Sequence, residues 1–471
     1  MSAASEPQVL VIGGGISGLA TAWWLAEGGI QVELWEAASR LGGKIRSHRS
    51  SGYLTEDSAG ILMNYRTEVD RLVEQAGLTS HKQSRGADLR RYVVHHGKLH
   101  PVPMQIPAML LSPLWGLAGK LRMASEIVVA HGGHERETVA EFIRRRLGPE
   151  ILDKVMDPYV AGTLASDPEQ ANAWSVLPRL TRLEQRYGSL TMGMLVNRLL
   201  HKRRANRAEA FSFNGGMERL VHSLANHPNI AVRKGFKALC VEPAGRGWQV
   251  SAATANGEAL RRVDGLVLAL PSGAAARLLA PLDQGLADLL RPIEYASLTV
   301  LHLGFRKNRV RHPLDGTGFL TPRQEKISFN GNLWMSSLFD GRAPAGHALL
   351  TTYIGGARHP SLCALPDEKL VSKAMGDLRR LIGVMGDPDY VRVVRHSAAL
   401  PLYHGHYFER TRAIESGVGL HTSLHLAGNY LHGVSMRDRI VQGERIAAHM
   451  LEQMEITASM GTECPSLAGV G

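Results

Sequence analysis

Six residues near the amino terminus, Gly13-Gly14-Gly15-Ile16-Ser17-Gly18, have the types and spacing that cradle a pyrophosphate. The first glycine permits a tight turn, Gly15 lets a phosphate approach the backbone, and Gly18 lets a helix pack closely on a strand. The pattern carries weight only after a buried strand and at the start of a helix. Both neighbours are present. Val9-Leu10-Val11-Ile12 is an apolar run of the buried parallel type, and a helical pattern from Ile16 through Leu19 and Trp23 stops at Gly28-Gly29. Amides at a helix start, with the positive end of its dipole, favour a phosphate. Glu36 closes a second apolar run, Val32 to Trp35, at the spacing from which a carboxylate takes the adenosine ribose hydroxyls. These residues bind a dinucleotide.

The next residues indicate which one. Glu36-Ala37-Ala38-Ser39-Arg40-Leu41-Gly42-Gly43-Lys44 resembles the second motif of the flavin amine oxidase superfamily, an acid followed by R-x-G-G-[RK]. In that superfamily the segment lies along the diphosphate and ribityl chain, so the resemblance implies FAD, with Ala37, Arg40, Gly42, Gly43 and Lys44 among its contacts. Leu426-Ala427-Gly428-Asn429-Tyr430 resembles the late flavin motif of the same superfamily. The helix after it, expected to begin between Val434 and Asp438, would point its amino end at the flavin's pyrimidine edge, with Val434, Ser435 and Met436 nearest. No cysteine lies there, so the flavin is expected to be non-covalent.

A closer resemblance runs through the middle of the chain. Glu137 to Gly148, Asp157-Pro158-Tyr159-Val160-Ala161-Gly162, Ser166-Asp167-Pro168, Pro178-Arg179-Leu180, Leu183 to Leu190, Phe213-Asn214-Gly215-Gly216-Met217, Leu338 to Pro344 and Gly428 to Ser435 resemble, in order, the oxygen-dependent protoporphyrinogen oxidase family. The resemblance implies six-electron oxidation of a porphyrinogen, protoporphyrinogen IX first, to the porphyrin, with molecular oxygen as acceptor, in heme biosynthesis. It also implies that Arg91, before Leu99-His100-Pro101-Val102-Pro103, contacts a substrate propionate, with Arg90 as the alternative. Gly60 and Phe236 fall at flavin and adenine contacts. The chain departs from the family at Ser58-Ala59-Gly60-Ile61, at His432, at Met436-Arg437-Asp438-Arg439, at Phe236 and at Phe329-Asn330-Gly331-Asn332. A related amine oxidase, a polyene desaturase and a non-catalytic flavin- or porphyrin-binding paralogue stay open as alternatives. No acid–base pair stands out, and His404 and His406 read as polar structure. Metal ligands are not expected.

The elements that position these residues read as α/β: a Rossmann-type FAD domain assembled from residues 1–90, 207–275 and 400–455, a helical insertion at 100–205, a mixed β-sheet substrate domain at 276–399 and a flexible tail at 456–471. Three single cysteines give no disulfide framework, and the first eight residues lack a secretory pattern, so a cytoplasmic location is expected. The charge of +11 goes with clusters at Arg144–Arg146 and Lys202–Arg207, read as solvated helix faces or as an attraction to an anionic membrane or acidic substrate. No nucleic-acid motif accompanies it, so no nucleic acid is expected. Leu110, Leu114, Leu117, Leu121, Ala124 and Val128 keep helical spacing after a proline-rich approach. They predict either a buried helix or a segment lying on the cytoplasmic membrane face. Thr138 and Glu141 predict a capping box. A homodimer is left open.

Overall fold

Short runs without a polar face, such as VLVI and GLVL, are stable as strands only where both faces of the sheet are covered. A computed structural model describes residues 8–86, 89–103, 108, 111–200 and 208–462, without the side chains of 198–200 and 455–462, and it places those runs in such a sheet. Five parallel strands lie in the order Ile230–Lys234, Val32–Glu36, Val9–Ile12, Gly265–Leu268 and Leu424–Leu426. One face packs against the helices Ile16–Glu27 and Met436–Thr462, whose Leu19, Trp23, Ile440 and Met450 are buried there. The other face is closed by Ser272–Leu279, Gln284–Leu290 and Tyr407–Val418 through Leu279, Leu286 and Ile414. This doubly covered parallel sheet is the expected α/β class, and it draws its strands from three separated stretches of chain.

A second sheet has seven strands, in the order Tyr390–Pro401, Tyr295–Arg306, His347–Gly355, Gly331–Trp334, Gly318–Leu320, Tyr92–His95 and Lys98–Pro101. All its pairs are antiparallel except Tyr92–His95 with Gly318–Leu320. Residues 92–101 thus join strands that come two hundred residues later. Three smaller antiparallel sheets complete the β structure, among them the meander Lys237–Val263.

The helical region holds Leu117–Ala124, Val139–Arg146, Asp157–Leu164, Pro178–Tyr187 and Leu190–Leu200. The capping box forms as expected, with Thr138 Oγ1 accepting from the Glu141 amide and the Glu141 carboxylate accepting from the Thr138 amide. Other expectations are corrected. Regular helix covers only Leu117–Ala124, and Leu114 and Trp115 before it are buried. Leu117, Leu121 and Val128 are 75%, 62% and 82% exposed, so they do not form a buried helix face, and Leu110 lies outside the described residues. Arg144–Arg146 is not a solvated cationic face. Arg144 pairs with Glu169, Arg145 with Glu137 and Glu184, and the fully buried Arg146 with Glu126. Lys202–Arg207 falls outside the described residues. The tail expected to be flexible from residue 456 begins as helix, since the last helix continues to Thr462.

Candidate cofactor and active site

The strand Val9–Ile12 ends at Gly13, whose φ of +112° disfavours any side chain. A Cβ there would stand 2.3 Å from the Ala269 carbonyl oxygen. A Cβ on Gly18 would meet the Gly13 oxygen at 1.9 Å, which makes it the point of close helix–strand approach. Gly15 is different. Nothing lies within 4 Å of a Cβ built on it, and it begins the first helix without a side-chain cap. Open space over an uncapped helix start is what an anion needs. The turn Arg40–Lys44 borders this space. Gly15 and Gly42 form an isolated parallel bridge, the Gly42 amide donates to the Gly14 oxygen at 2.7 Å, and a Cβ on Gly43 would stand 3.3 Å from the Gly15 Cα. The Arg40 guanidinium donates to the carbonyls of Leu41, Ile45 and Gly43, which braces the turn.

Glu36 holds the loop from the other side. Its Oε2 accepts from the Gly14 amide and its Oε1 from the Ala38 amide beyond Ala37, each at 2.8 Å. The Phe236 amide donates to the Glu36 carbonyl at 3.0 Å, and the Phe236 ring lies 5.4 Å from that of Trp35. Lys44 donates to the Ala399 carbonyl at 2.6 Å and has no carboxylate partner among the described residues. Burial lowers its pKa to about 8. The open glycine space and the Glu36 carboxylate fit a flavin dinucleotide.

The carboxyl-terminal segment returns to the same place. A Cβ on Gly428 would collide with the Tyr430 ring at 2.3 Å, and the Asn429 carbonyl accepts from the Tyr403 hydroxyl at 2.5 Å. The helix opens at Met436 on a reciprocal cap: the Ser435 amide donates to Asp438 Oδ2 and the Asp438 amide to Ser435 Oγ, both at 3.2 Å. Val434 and Met436 pack into the cores on opposite sides of the sheet. The helix then runs along the first one, where the Trp24 indole donates to the Ile440 carbonyl at 3.2 Å. Arg439, one of the departures from the family pattern, has a structural task. Its buried guanidinium donates to the carbonyls of Gly428 and Leu431 and to Gln442 Oε1, tying the loop to the helix. His432, another departure, adopts a φ of +58° and pairs with Glu415 at 3.0 Å.

Gly60 lies against the second sheet, where its Cβ would meet Met335 Cε at 2.8 Å. Four residues before it, Glu56 accepts from Ser47 Oγ at 2.7 Å, the Met217 amide at 3.0 Å and Arg342 at 2.6 Å. His302 joins the Glu56 carbonyl and Thr351 Oγ1, each at 3.0 Å, and burial drops its pKa to about 3, so it is neutral. A small cavity here is lined by Glu56, Gly60, His302 and Tyr353.

Arg90 and Arg91 separate sharply. Arg90 is exposed and paired with Asp315. Arg91 is half-buried, and its side chain has no hydrogen bond or ion pair among the described residues; burial lowers its pKa, and the Tyr159 hydroxyl acts the other way. Tyr159 is 41% exposed, and burial raises its pKa.

Sequence reasoning passed over Glu56 and His302, and it named Arg439 only as a departure from the family pattern. Arg342, in the quoted Leu338–Pro344 segment, was a signal for Glu56, because an arginine in so apolar a stretch needs a buried acid. No such signal marked His302. His404 and His406 bond to Ser166 at 2.8 Å and Glu409 at 3.1 Å, as polar structure. Among the described residues no His, Cys, Asp and Glu cluster could hold a metal. A cleft of about 400 Å³ opens away from these groups, at the outer edge of Leu424–Leu426.

Comparison with known proteins agrees with this geometry. Protoporphyrinogen oxidase 2 of Arabidopsis thaliana is 28% identical, covering 97% of this chain and 96% of its own. Coproporphyrinogen III oxidase of Bacillus subtilis (strain 168) is 27% identical, over 95% and 98%. A crystal structure from Exiguobacterium sp. 255-15, named for a provisional protoporphyrinogen oxidase assignment, superposes with a TM-score of 0.76 at 23% identity, over 95% of this chain and 99% of its own. The pattern of the flavin containing amine oxidoreductases matches residues 16–451. That match spans most of the chain, so the chain belongs to the flavin containing amine oxidoreductase family and is a flavin-dependent oxidoreductase.

Proposed function

We propose that the chain oxidises a porphyrinogen to its porphyrin, with non-covalent FAD as cofactor and molecular oxygen as acceptor. The observation that carries the reading is Arg91, a half-buried guanidinium with no acidic partner among the described residues. A substrate carboxylate gives it one. Both curated relatives named above carry a porphyrinogen in their names, over nearly the whole chain.

A bound flavin supplies hydride acceptance from an activated carbon and onward transfer to oxygen, and the protein's part is to hold and shield the partners. The open space at Gly15 and the amides of Ile16 and Ser17 would take the diphosphate, and Lys44, with no acidic partner among the described residues, would help to neutralise its charge. Glu36 takes the ribose hydroxyls. Gly428, Asn429 and the start of the helix at Met436 would border the isoalloxazine end, where the positive end of the helix dipole would stabilise developing negative charge. The described free cysteines, Cys240 and Cys363, lie outside all of these segments, which supports non-covalent attachment.

For location we propose peripheral attachment to the cytoplasmic face of a membrane. No described helix is long and apolar enough to cross one. Leu111, Leu117, Leu121, Ile127 and Val128 are nonetheless exposed on one stretch of the helical region, as suits a surface that rests in the lipid interface.

The test of activity is porphyrin fluorescence. The FAD-loaded protein in air should generate it from a porphyrinogen at least tenfold faster than autoxidation. Tight porphyrin binding without such acceleration would identify a non-catalytic binding paralogue. Turnover of a primary amine or polyene instead would identify another branch of the family.

A further inference from the structure

Two imidazoles hold consecutive backbone carbonyls just before Ser58-Ala59-Gly60-Ile61, a segment that departs from the family pattern. His302 Nε2 lies 3.0 Å from the Glu56 carbonyl oxygen, and His396 Nε2 lies 2.6 Å from that of Asp57. The two histidines come from neighbouring strands of the seven-stranded sheet, Tyr295–Arg306 and Tyr390–Pro401. Thr351, His302 and Arg392 are cross-strand neighbours there, and strand alternation puts His396 on the same face as Arg392. Arg392 itself pairs with the Asp57 carboxylate. One face of the sheet thus grips residues 56 and 57 with three side chains.

The same two residues are tied to the cofactor turn. The Asp57 amide donates to the Arg46 carbonyl at 2.8 Å, Ser47 pairs with Glu56 in a short antiparallel ladder, and Ser47 Oγ donates to the Glu56 carboxylate at 2.7 Å. Arg46 and Ser47 follow directly on Arg40–Lys44, the turn whose Gly42 amide bonds to the glycine loop. Residues 56 and 57 are therefore the joint between that turn and the seven-stranded sheet, and the small cavity lined by Glu56, Gly60 and His302 lies in it. A carbonyl oxygen only accepts, so each Nε2 carries a proton and donates it. On His302, which is 1% exposed, Nδ1 then accepts from the Thr351 hydroxyl at 3.0 Å. Burial takes the pKa of this ring down to about 3, so it stays neutral and in one tautomer, with a fixed direction and no proton to exchange near neutral pH.

We propose that His302 and His396 are positioning residues, which clamp the Glu56–Asp57 backbone and so fix the path of Ser58–Gly60 beside the flavin. The inference rests on the placement of Gly60 at the flavin and not on the choice of substrate. Both imidazoles act through main-chain carbonyls, groups that need a donor wherever they are buried. The clamp therefore asks nothing of the side chains at 58–61, and a segment with changed side chains keeps its place. It also holds the seven-stranded sheet and the cofactor turn in one mutual orientation, on which transfer between a substrate carbon and a flavin depends.

The experiment compares the FAD-loaded wild type with His302→Leu, His302→Gln, His396→Leu and His396→Gln, by visible circular dichroism of the bound flavin and by steady-state kinetics. A glutamine amide offers a donor beside an acceptor, as the imidazole does, so it keeps the bond to the carbonyl that leucine loses. The Leu variants should shift the flavin's dichroic bands, or shed flavin that the Gln variants retain, and lower kcat at least about tenfold with KM within about threefold. The Gln variants should recover the wild-type bands and most of kcat, with an unchanged pH–rate profile between about pH 5 and 9. If His302→Leu does not fold, the half-buried His396 decides through its own pair of variants. Leu variants with wild-type bands and turnover, or Gln variants no better than Leu, overturn the clamp. Loss of one limb of the pH profile in a Gln variant overturns it too, since that imidazole would be moving protons. The dichroism needs no substrate, so a protein that oxidises no porphyrinogen yet shows the shift and its rescue loses the porphyrinogen reading and keeps the clamp.

Discussion

A half-buried guanidinium with no acidic partner among the described residues, that of Arg91, carries most of the functional argument at the scale of single residues. A charge-assisted contact to a propionate is typically worth about 1.5–3 kcal/mol. Arg91→Ala should therefore raise KM for a porphyrinogen by roughly ten- to a hundredfold and lower kcat less, since the contact is made in ground and transition state alike. Arg90→Ala should change neither, because Arg90 is spent on Asp315 in solvent. Steady-state kinetics at matched flavin content checks both, and a normal KM for Arg91→Ala removes this arginine from the substrate. Gly15→Val fills the open space over the first helix, so the purified variant should be colourless. Full flavin absorbance in that variant would mean the phosphates lie elsewhere. The glycine loop was legible in the sequence because each glycine answers a local need of the strand–turn–helix. Which of Arg90 and Arg91 turns inward was not legible, because it depends on a strand pairing, Tyr92–His95 with Gly318–Leu320, made two hundred residues away. The same distance hid the tie from His302 to the Glu56 carbonyl.

At the scale of elements, the helical region is held by a carboxylate that caps a helix from far along the chain. Glu126 accepts from the Leu190 amide at 2.8 Å, the Thr191 amide at 3.0 Å and Ser189 Oγ at 2.8 Å, and pairs with Arg146. Burial pushes its pKa up, but these bonds outweigh it and bring the carboxyl from the usual 4.5 down to about 2. A folded-state pKa below the unfolded one stabilises fully above the unfolded value and is lost as pH falls through the folded one. Thermal unfolding followed by circular dichroism should therefore show stability lost between about pH 4.5 and 2. Glu126→Gln should be less stable at neutral pH by about 3 kcal/mol, as breaking a buried pair costs, and flatter across that acid window. An unchanged acid profile would show that other carboxylates control it. The neighbouring leucines make a separate prediction. Replacing Leu117, Leu121 and Val128 by serine should release the protein from the membrane fraction with flavin content intact, since these side chains are exposed. If the variant still pellets and only high salt releases it, basic residues make the attachment. Periodicity predicted these leucines to lie on one helical face, yet it could not tell inside from outside: Leu114 is buried, while Leu117 is open.

At the scale of the whole molecule, the proposed flavin and substrate contacts are drawn from two sheets and a helical region. The parallel sheet was legible from its apolar runs. The seven-stranded sheet was legible only in part, because strands such as Tyr92–His95 and Gly318–Leu320 are too short to show a period and gain stability from partners remote in sequence. The assembly predicts a single experiment with a visible outcome. The purified yellow protein, made anaerobic, is mixed with a porphyrinogen under stopped flow while the flavin absorbance near 450 nm, roughly where oxidised flavins absorb, is recorded. The account predicts that the flavin bleaches within seconds as porphyrin absorbance appears, recovers on admission of oxygen, and leaves the polypeptide entirely when the protein is acid-denatured. A flavin that stays oxidised in the presence of porphyrinogen, while an amine or a polyene bleaches it, would contradict the central claim.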